Sequence, residues 1–117
     1  MKKKTNKDQQ ENYLERKPKR HEAIAWAKDE KGIVTLDIEN TGFFNRLAQK
    51  IFHKPKVTHI HLDEMGSFVW PIMDGEKDII AIGKEVEEQF GEKANPLYER
   101  LAKFFQVLDS YHFITWN

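Results

Sequence analysis

Two histidines, His59 and His61, occupy alternate positions in the segment VTHIHLD, where they could bind a metal ion. Alternate residues of a β-strand share one face, and imidazole nitrogens are common zinc ligands. His53 is close in sequence, but no acidic residue completes a ligand set at a familiar spacing, and the chain has no cysteine. The sequence therefore favours a polar strand face over a metal site, and we expect no cofactor.

Catalytic motifs are absent from the sequence. It has no glycine-rich phosphate loop, no G-x-S-x-G element and no H-E-x-x-H element. Its carboxylates fall on predicted helix faces, where charged side chains are solvated. We therefore predict that the protein is not an enzyme.

The VTHIHLD segment is also a candidate edge strand, whose backbone N–H and C=O groups could pair with an added peptide strand. The alternative is an edge that His and Lys side chains protect and that binds nothing. The residue pattern alone leaves both interpretations open.

The chain has 117 residues, the size of one domain. It contains 19 Lys and Arg residues and 19 Asp and Glu residues, so no net charge directs it toward nucleic acid or a membrane. No apolar run approaches the about 18 residues of a transmembrane helix, and no apolar segment follows the basic N-terminus as in a secretory signal. We expect a cytoplasmic protein without a membrane partner.

Residues 1–22 differ in composition from the rest of the chain. They are strongly basic and nearly devoid of branched apolar side chains, so they bury too little surface to offset the entropy of ordering. We predict a flexible basic tail over residues 1–22 and a folded domain over residues 23–117.

Three segments have the alternating pattern of strands. AIAWA, the turn DEKG and IVTLDIE predict a hairpin from Ala23 to Glu39. VTHIHLD is the third strand, with Ile60 and Leu62 on one face and the two histidines on the other. Between strands two and three, Gly42–Phe52 is predicted to form an extra helix. Its apolar stripe would cover the free face of the sheet or form a dimer contact, and we favour the former. A monomer or a weak homodimer is expected.

After Asp63 the apolar period changes to that of helices. Pro71 must kink or break the first of them. The second ends at Gly91, and the third begins near Pro96. This order predicts an α+β, winged-helix-like fold: a three-stranded antiparallel sheet followed by a three-helix bundle, with the extra helix between strands two and three.

A winged-helix DNA-binding transcription regulator is the alternative function. The third helix would then read DNA. Its exposed side would carry a mixture of charges, and the second helix, with KEVEEQFGE, is acidic. Because phosphate contacts dominate DNA affinity, this interpretation ranks second. The exposed residues of the third helix are Glu99, Arg100, Lys103, Gln106 and Asp109.

The segments IHLDEMGSFVWPIMDGEKDIIAIGKEVEEQFGE and ERLAKFFQVLDSYHFITW resemble the PqqD family of peptide-recognition domains in ribosomal peptide modification. The residues that match the family pattern are Leu62, Gly66, Trp70, Asp74, Gly75, Gly83, Phe90, Leu101, Phe105 and Leu108. The resemblance covers most of Ala23–Trp116 and makes residues 23–117 a PqqD-like winged-helix domain. The helix Gly42–Phe52 departs from the family, which usually joins strands two and three by a short turn.

The resemblance implies a peptide chaperone, or recognition element, without catalysis. In the family, a leader peptide adds as a strand to the third strand and lies against the third helix. The domain then delivers the precursor peptide to a modifying enzyme, often a radical S-adenosylmethionine protein. These are the expected partners of this chain.

The predicted peptide site has two parts. The guest strand should pair with the third strand, at Thr58, His59, Ile60, His61 and Leu62. It should also pack on one flank of the third helix, at Tyr98, Ala102, Phe105 and Asp109. Tyr98 and Phe105 would be apolar anchors, while Leu97, Leu101, Phe104 and Leu108 point into the core. The alternative is that this flank simply packs on the sheet.

Overall fold

The computed structural model describes residues 13–39 and 57–117. The predicted helix Gly42–Phe52 lies outside these ranges. In chain order the elements are β1 (Pro18–Arg20), β2 (Ala25–Lys28), β3 (Val34–Glu39), β4 (Val57–His61), α1 (Glu64–Ile72), α2 (Ile79–Phe90), a short 3-10 helix (Gly91–Ala94), α3 (Leu97–Ser110) and β5 (Ile114–Trp116). They fall into two compact units: the sheet unit, with residues 22–39 and 57–68, and the helical unit, with residues 13–21 and 69–117.

The sheet unit contains the predicted three-stranded antiparallel sheet, in the order β2-β3-β4. The β2–β3 turn is fixed by Asp29, whose carboxylate accepts hydrogen bonds from the amides of Lys31 at 2.8 Å and Ile33 at 2.9 Å. The bond from Ile33 is the largest of the effects that lower the pKa of this carboxyl. Gly32 has φ 85°, the left-handed conformation that glycine adopts without steric cost. The predicted hairpin is confirmed.

One face of β3 is buried, because Val34, Leu36 and Ile38 alternate with more exposed residues. The first turns of α1 follow β4 directly, and the Asp63 carboxylate accepts a hydrogen bond from the Gly66 amide at 2.7 Å, as a helix cap does. The α+β class, the three-stranded sheet and the three following α-helices are confirmed for the described ranges.

The helical unit is built from the end of α1 together with α2 and α3. Asp78 caps α2 by accepting from the Ala81 amide at 2.8 Å, and Gly91 ends α2 with φ 61°. Helix α3 begins at Leu97 after Pro96. Its buried stripe is Leu97, Leu101, Phe105 and Leu108. No helix in the described parts of the chain is both long and apolar enough to cross a membrane.

The predicted tail, residues 1–22, contains an ordered stretch. Pro18–Arg20 form β1, which pairs antiparallel with β5 in the register Pro18↔Trp116 to Arg20↔Ile114. Around it, the Gly75 amide donates to the Pro18 carbonyl at 3.0 Å and the His21 amide donates to that of Phe113 at 3.1 Å. The tail prediction is therefore wrong for this stretch, because its order comes from backbone pairing with distant segments and not from its own apolar content.

Arg20 caps the end of α1, close to Pro71. The ring of Pro71 removes a backbone donor, and α1 ends one residue later, at Ile72. The Arg20 guanidinium nitrogen Nη1 lies 3.2 Å from the Trp70 carbonyl oxygen, 2.7 Å from that of Pro71 and 2.8 Å from that of Met73. A cation at a helix C-terminus satisfies the last carbonyls and complements the helix dipole. The predicted interruption at Pro71 thus appears as a capped helix end.

Candidate functional site

Strand β4 is the edge of the sheet as far as the structure describes it. The Leu62 amide donates to the Val34 carbonyl at 2.9 Å, and Ile60 faces Leu36 in the same register. Backbone groups of successive residues in an antiparallel strand point alternately to its two sides. The amides and carbonyls of His59 and His61 therefore point away from β3, toward the outer edge.

The side chains of β4 alternate between the two faces of the sheet. Ile60 lies beside buried Leu36. On the other face, His59 Nδ1 lies 2.6 Å from the Asp37 carboxylate, and His61 Nδ1 lies 2.7 Å from the Thr35 hydroxyl. Both contacts join non-hydrogen-bonded pairs of the antiparallel ladder. In such pairs the side chains of the two strands come closest. The His59 side chain is 62% exposed, so this polar ladder is open to solvent.

These positions refine the predicted strand site. Of Thr58, His59, Ile60, His61 and Leu62, only the two histidines direct backbone groups outward, whereas Thr58 and Leu62 direct theirs toward β3. The histidines bond to β3 side chains. No group of three His, Asp or Glu residues in the described ranges is placed to hold a metal ion.

On α3 the predicted roles of Phe104 and Phe105 are reversed. Phe105 is 0% exposed, and its ring centroid lies 6.3 Å from that of Trp116, whereas Phe104 is half-buried. Successive helical residues differ by about 100° in direction, so a broad apolar stripe can be centred on either one. In the structure it is centred toward Phe105, which therefore cannot be a surface anchor for a peptide.

Tyr98, the other predicted anchor, packs on α2. A Cβ atom added to Gly83 would lie 2.6 Å from Cε1 of the Tyr98 ring. The Tyr98 hydroxyl donates to the Ile80 carbonyl at 3.4 Å. Burial, followed by the nearby charges of Glu87 and Asp78, raises the pKa of this hydroxyl. Tyr98 thus has a packing role within the helical unit.

Ala102 and Asp109 remain accessible on the predicted flank of α3, half-buried and exposed respectively. The chain's own N-terminal segment approaches the same flank. The Tyr13 ring lies 5.6 Å from that of Trp116, and the Arg16 guanidinium lies 4.1 Å from the Trp116 ring centroid. Burial raises the pKa of Tyr13 to about 12, with Arg16 lowering it and Asp109 raising it. The N-terminal segment therefore packs on Trp116, whose ring also lies beside that of Phe105.

The opposite flank of α3 has an exposed apolar stripe that sequence reasoning missed. Val107 is 44% and Tyr111 38% exposed, and Phe104 lies in line with them at helical spacing. The Tyr111 ring stacks on that of Phe113 at 5.5 Å. The i, i+3 and i+7 spacing of residues 104, 107 and 111 indicates a stripe on one side of the helix. The sequence analysis placed Phe104 in the core and therefore did not predict this stripe.

Residues 32–114 match the family model described as Coenzyme PQQ synthesis protein D (PqqD). The chain belongs to the PqqD family. The match covers most of the chain and confirms the resemblance seen in the sequence. It includes β3, β4 and all of α1, α2 and α3, whereas β1 and β2 precede it. No curated protein and no solved structure matches the chain significantly.

Proposed function

We propose that this PqqD-family protein is a non-catalytic peptide chaperone. It captures the leader of a ribosomally made precursor peptide by strand addition at β4 and presents the precursor to a modifying enzyme. Membership of the family supports the peptide-binding role and an accessory, non-catalytic character. The observation that carries the proposal is the outward direction of the His59 and His61 backbone groups at the edge of the described sheet.

Strand addition needs a strand edge with donors and acceptors at every second residue. Val57, His59 and His61 supply that pattern over five residues of β4. A guest strand would place its own N–H and C=O groups against them. The buried face of β3 fixes the register of β3 in the sheet. If β3 slipped by one residue, Leu36 and its neighbours would turn to the exposed face.

The partner enzyme is proposed to be a radical S-adenosylmethionine protein, and the arrangement of sheet and helices to be winged-helix-like, as the family resemblance implies. Ala102 and Asp109 are kept as proposed guest contacts on α3, but Phe105 is not, because it is buried. Substituting Ala102→Trp should weaken leader binding while the fold is kept, which circular dichroism would verify.

A DNA-binding role has less support. The exposed residues of α3 include Glu99, Lys103, Gln106 and Asp109. Their charges are of both signs, which does not suit phosphate. A duplex affinity that falls steeply with salt and survives deletion of residues 1–12 would favour this alternative.

The decisive experiment is a backbone scan of the cognate leader peptide, once the neighbouring genes identify a precursor. N-methylation of a guest residue removes one strand donor. If the leader adds to β4, methylation at alternate guest residues should weaken binding strongly, whereas methylation at the residues between them should have little effect. Amide NMR shifts should be largest at His59 and His61. Uniform sensitivity to methylation, or shifts confined to other elements, would refute strand addition at β4.

A further inference from the structure

The hydrogen-bonded pair of Asp37 and His59 points to the chemistry of the guest. We propose that the edge of β4 prefers a strand that places a basic side chain, Lys or Arg, opposite His59, and that it disfavours a carboxylate there. This inference rests on the proposed strand addition and adds the class of leader peptide that is preferred.

The His59 ring is held in one tautomer by β3. Its Nδ1 atom lies 2.6 Å from the carboxylate of Asp37. An ionised carboxylate only accepts hydrogen bonds, so Nδ1 carries the proton of this contact. In a neutral imidazole the other nitrogen is then an acceptor. Histidine side chains are ordinarily neutral at about pH 8, and His59 Nε2 therefore presents a lone pair.

This lone pair is directed toward the side on which a guest strand would lie. Nδ1 and Nε2 lie on opposite sides of the imidazole ring, so Nε2 is directed away from β3 when Nδ1 faces it. Among residues 13–39 and 57–117, no group bonds to this Nε2, and the His59 side chain is 62% exposed. A guest residue opposite His59 would place its side chain on the same face of the sheet. The edge thus offers that side chain a hydrogen-bond acceptor.

The charges on this face of the sheet favour the same class of guest. Strands β2, β3 and β4 contribute two carboxylates to it, Asp37 and Glu39, and no Lys or Arg. Lys28 of β2 pairs with Val34 and so belongs to the other face. These carboxylates attract a basic guest side chain and repel an acidic one, over a screening distance of about 10 Å. The residues of the three strands on this face are Ala25, Ala27, Thr35, Asp37, Glu39, Val57, His59 and His61.

A basic side chain satisfies both features at once. Its donors suit the Nε2 acceptor, and hydrogen bonds from a charged donor are roughly twice as strong as neutral ones. A Gln side chain could donate but adds no charge, whereas a carboxylate would bring lone pairs against a lone pair and negative charge toward Asp37. His61 adds no preference, because its Nδ1 contacts the Thr35 hydroxyl, which can donate or accept. The competing interpretation is that this face only protects the edge from aggregation.

Three synthetic peptides test the proposal without knowledge of the natural leader: acetyl-TKVKVKVT-amide and its analogues with Gln or Glu at each Lys position. Titrations at about pH 8 are followed by the amide NMR shifts of His59 and His61, and light scattering verifies that each peptide is monomeric. The Lys peptide should bind most tightly and the Glu peptide most weakly. We expect them to differ about five- to tenfold, as attraction of one charge and repulsion of the other at an exposed site would give. High salt should reduce the difference.

The His59 ring supplies a second measurement. A long-range proton–nitrogen correlation spectrum of the free protein at about pH 8 should show Nδ1 protonated and Nε2 unprotonated. The Nε2 resonance should then move when the Lys peptide binds. A proton on Nε2 in the free protein would remove the acceptor and overturn the proposal.

Variants connect the preference to the pair. Asp37→Asn should reduce the advantage of the Lys peptide over the Glu peptide to about twofold or less, and Asp37→Asn together with His59→Phe should abolish it. Glu30→Gln is the matched control, because it removes one carboxylate from the exposed turn between β2 and β3 of the same unit. It should leave the ratio unchanged. If it lowers the ratio as much as Asp37→Asn does, the preference comes from net charge and not from the pair.

The outcomes separate the two proposals. Equal binding of all three peptides, with shifts at the His59 and His61 amides, would overturn the basic preference and leave strand addition intact. A preference for the Glu peptide would do the same. Failure of the Lys peptide to shift these amides would also overturn the basic preference. If the cognate leader shifts neither amide either, strand addition fails with it.

Discussion

The ring of Tyr98 lies directly on Gly83, so that helices α2 and α3 meet where α2 has no side chain. A Cβ atom on Gly83 would lie 2.6 Å from Cε1, 2.8 Å from the hydroxyl oxygen and 2.9 Å from Cζ of Tyr98. Real Cβ atoms do not come this close to a rigid ring. Glycine inside a helix normally costs stability, and here the close packing of an aromatic ring offsets that cost.

We therefore predict opposite effects of Gly83→Ala in two backgrounds. In the wild type it should lower the free energy of unfolding by about 1–3 kcal/mol, because the tyrosine ring must move. In a Tyr98→Ala background the same change should raise it by up to about 1 kcal/mol, the helix propensity gained by alanine. Urea unfolding of the four proteins measures both effects. An equal cost in the two backgrounds would contradict the contact.

Ser67 joins the ends of β3 and β4. Its hydroxyl accepts from the Val34 amide at 2.8 Å and donates to the Leu62 carbonyl at 3.3 Å, and the residue is 1% exposed. Ser67→Ala should cost about 1–3 kcal/mol, because a buried amide and carbonyl lose their partner.

Ser110→Ala is the matched control for this substitution. Its hydroxyl also donates to a backbone carbonyl, that of Val107 at 2.7 Å, but at an exposed position. It should change the unfolding free energy by less than about 0.5 kcal/mol. If Ser67→Ala lowers the free energy of unfolding as little as Ser110→Ala does, the hydrogen bonds of Ser67 to Val34 and Leu62 contribute nothing to stability.

Local periodicity was sufficient to predict the hairpin, the third strand and the three helices. Val34, Leu36 and Ile38 alternate because one face of β3 is buried, and that pattern is visible in a few consecutive residues. Strand β1 could not be found in this way. Its partner Ile114–Trp116 lies at the other end of the chain, and backbone pairing leaves no compositional signal in Pro18–Arg20.

The strand that carries the proposed site and its two faces could be predicted, but the rotation of α3 could not. The alternation of His59 and His61 with Ile60 indicated their two faces, and the structure adds the bonds to Asp37 and Thr35. The choice between Phe104 and Phe105 depends on how α3 is rotated about its axis, which is set by tertiary packing and not by the spacing of apolar residues.

Arg20 provides a third prediction. Replacing it with Met removes the donors to the carbonyls of Pro71 and Met73, and we expect a loss of about 1–3 kcal/mol. Arg20→Lys should recover part of that loss. Arg100→Met is the control: Arg100 donates to the Lys93 carbonyl at 2.8 Å in an exposed setting, so its loss should be small. If Arg20→Met is as mild as the control, the cap does not stabilise the end of α1.

The raised pKa of Tyr13 leads to a prediction of how the free energy of unfolding changes at alkaline pH. Burial raises its pKa to about 12, whereas an unfolded tyrosine ionises near about 10. Below about pH 10 the tyrosine hydroxyl is protonated in both the folded and the unfolded protein, so its ionisation does not affect the free energy of unfolding. As the pH rises from about 10 to 12, the unfolded state loses the proton first, so the free energy of unfolding must fall. Because Tyr13 is only half-buried, solvent moderates the size of the effect.

Tyr13→Phe isolates this contribution, because it keeps the ring against Trp116 and removes the ionisable hydroxyl. That hydroxyl is buried and has no hydrogen-bond partner among residues 13–39 and 57–117, so the substitution should cost little at neutral pH. Between about pH 10 and 12 the variant should lose less stability than the wild type. Urea unfolding at a series of pH values measures the difference between their slopes. Parallel curves across that interval would mean that residue 13 is not packed on Trp116 in solution.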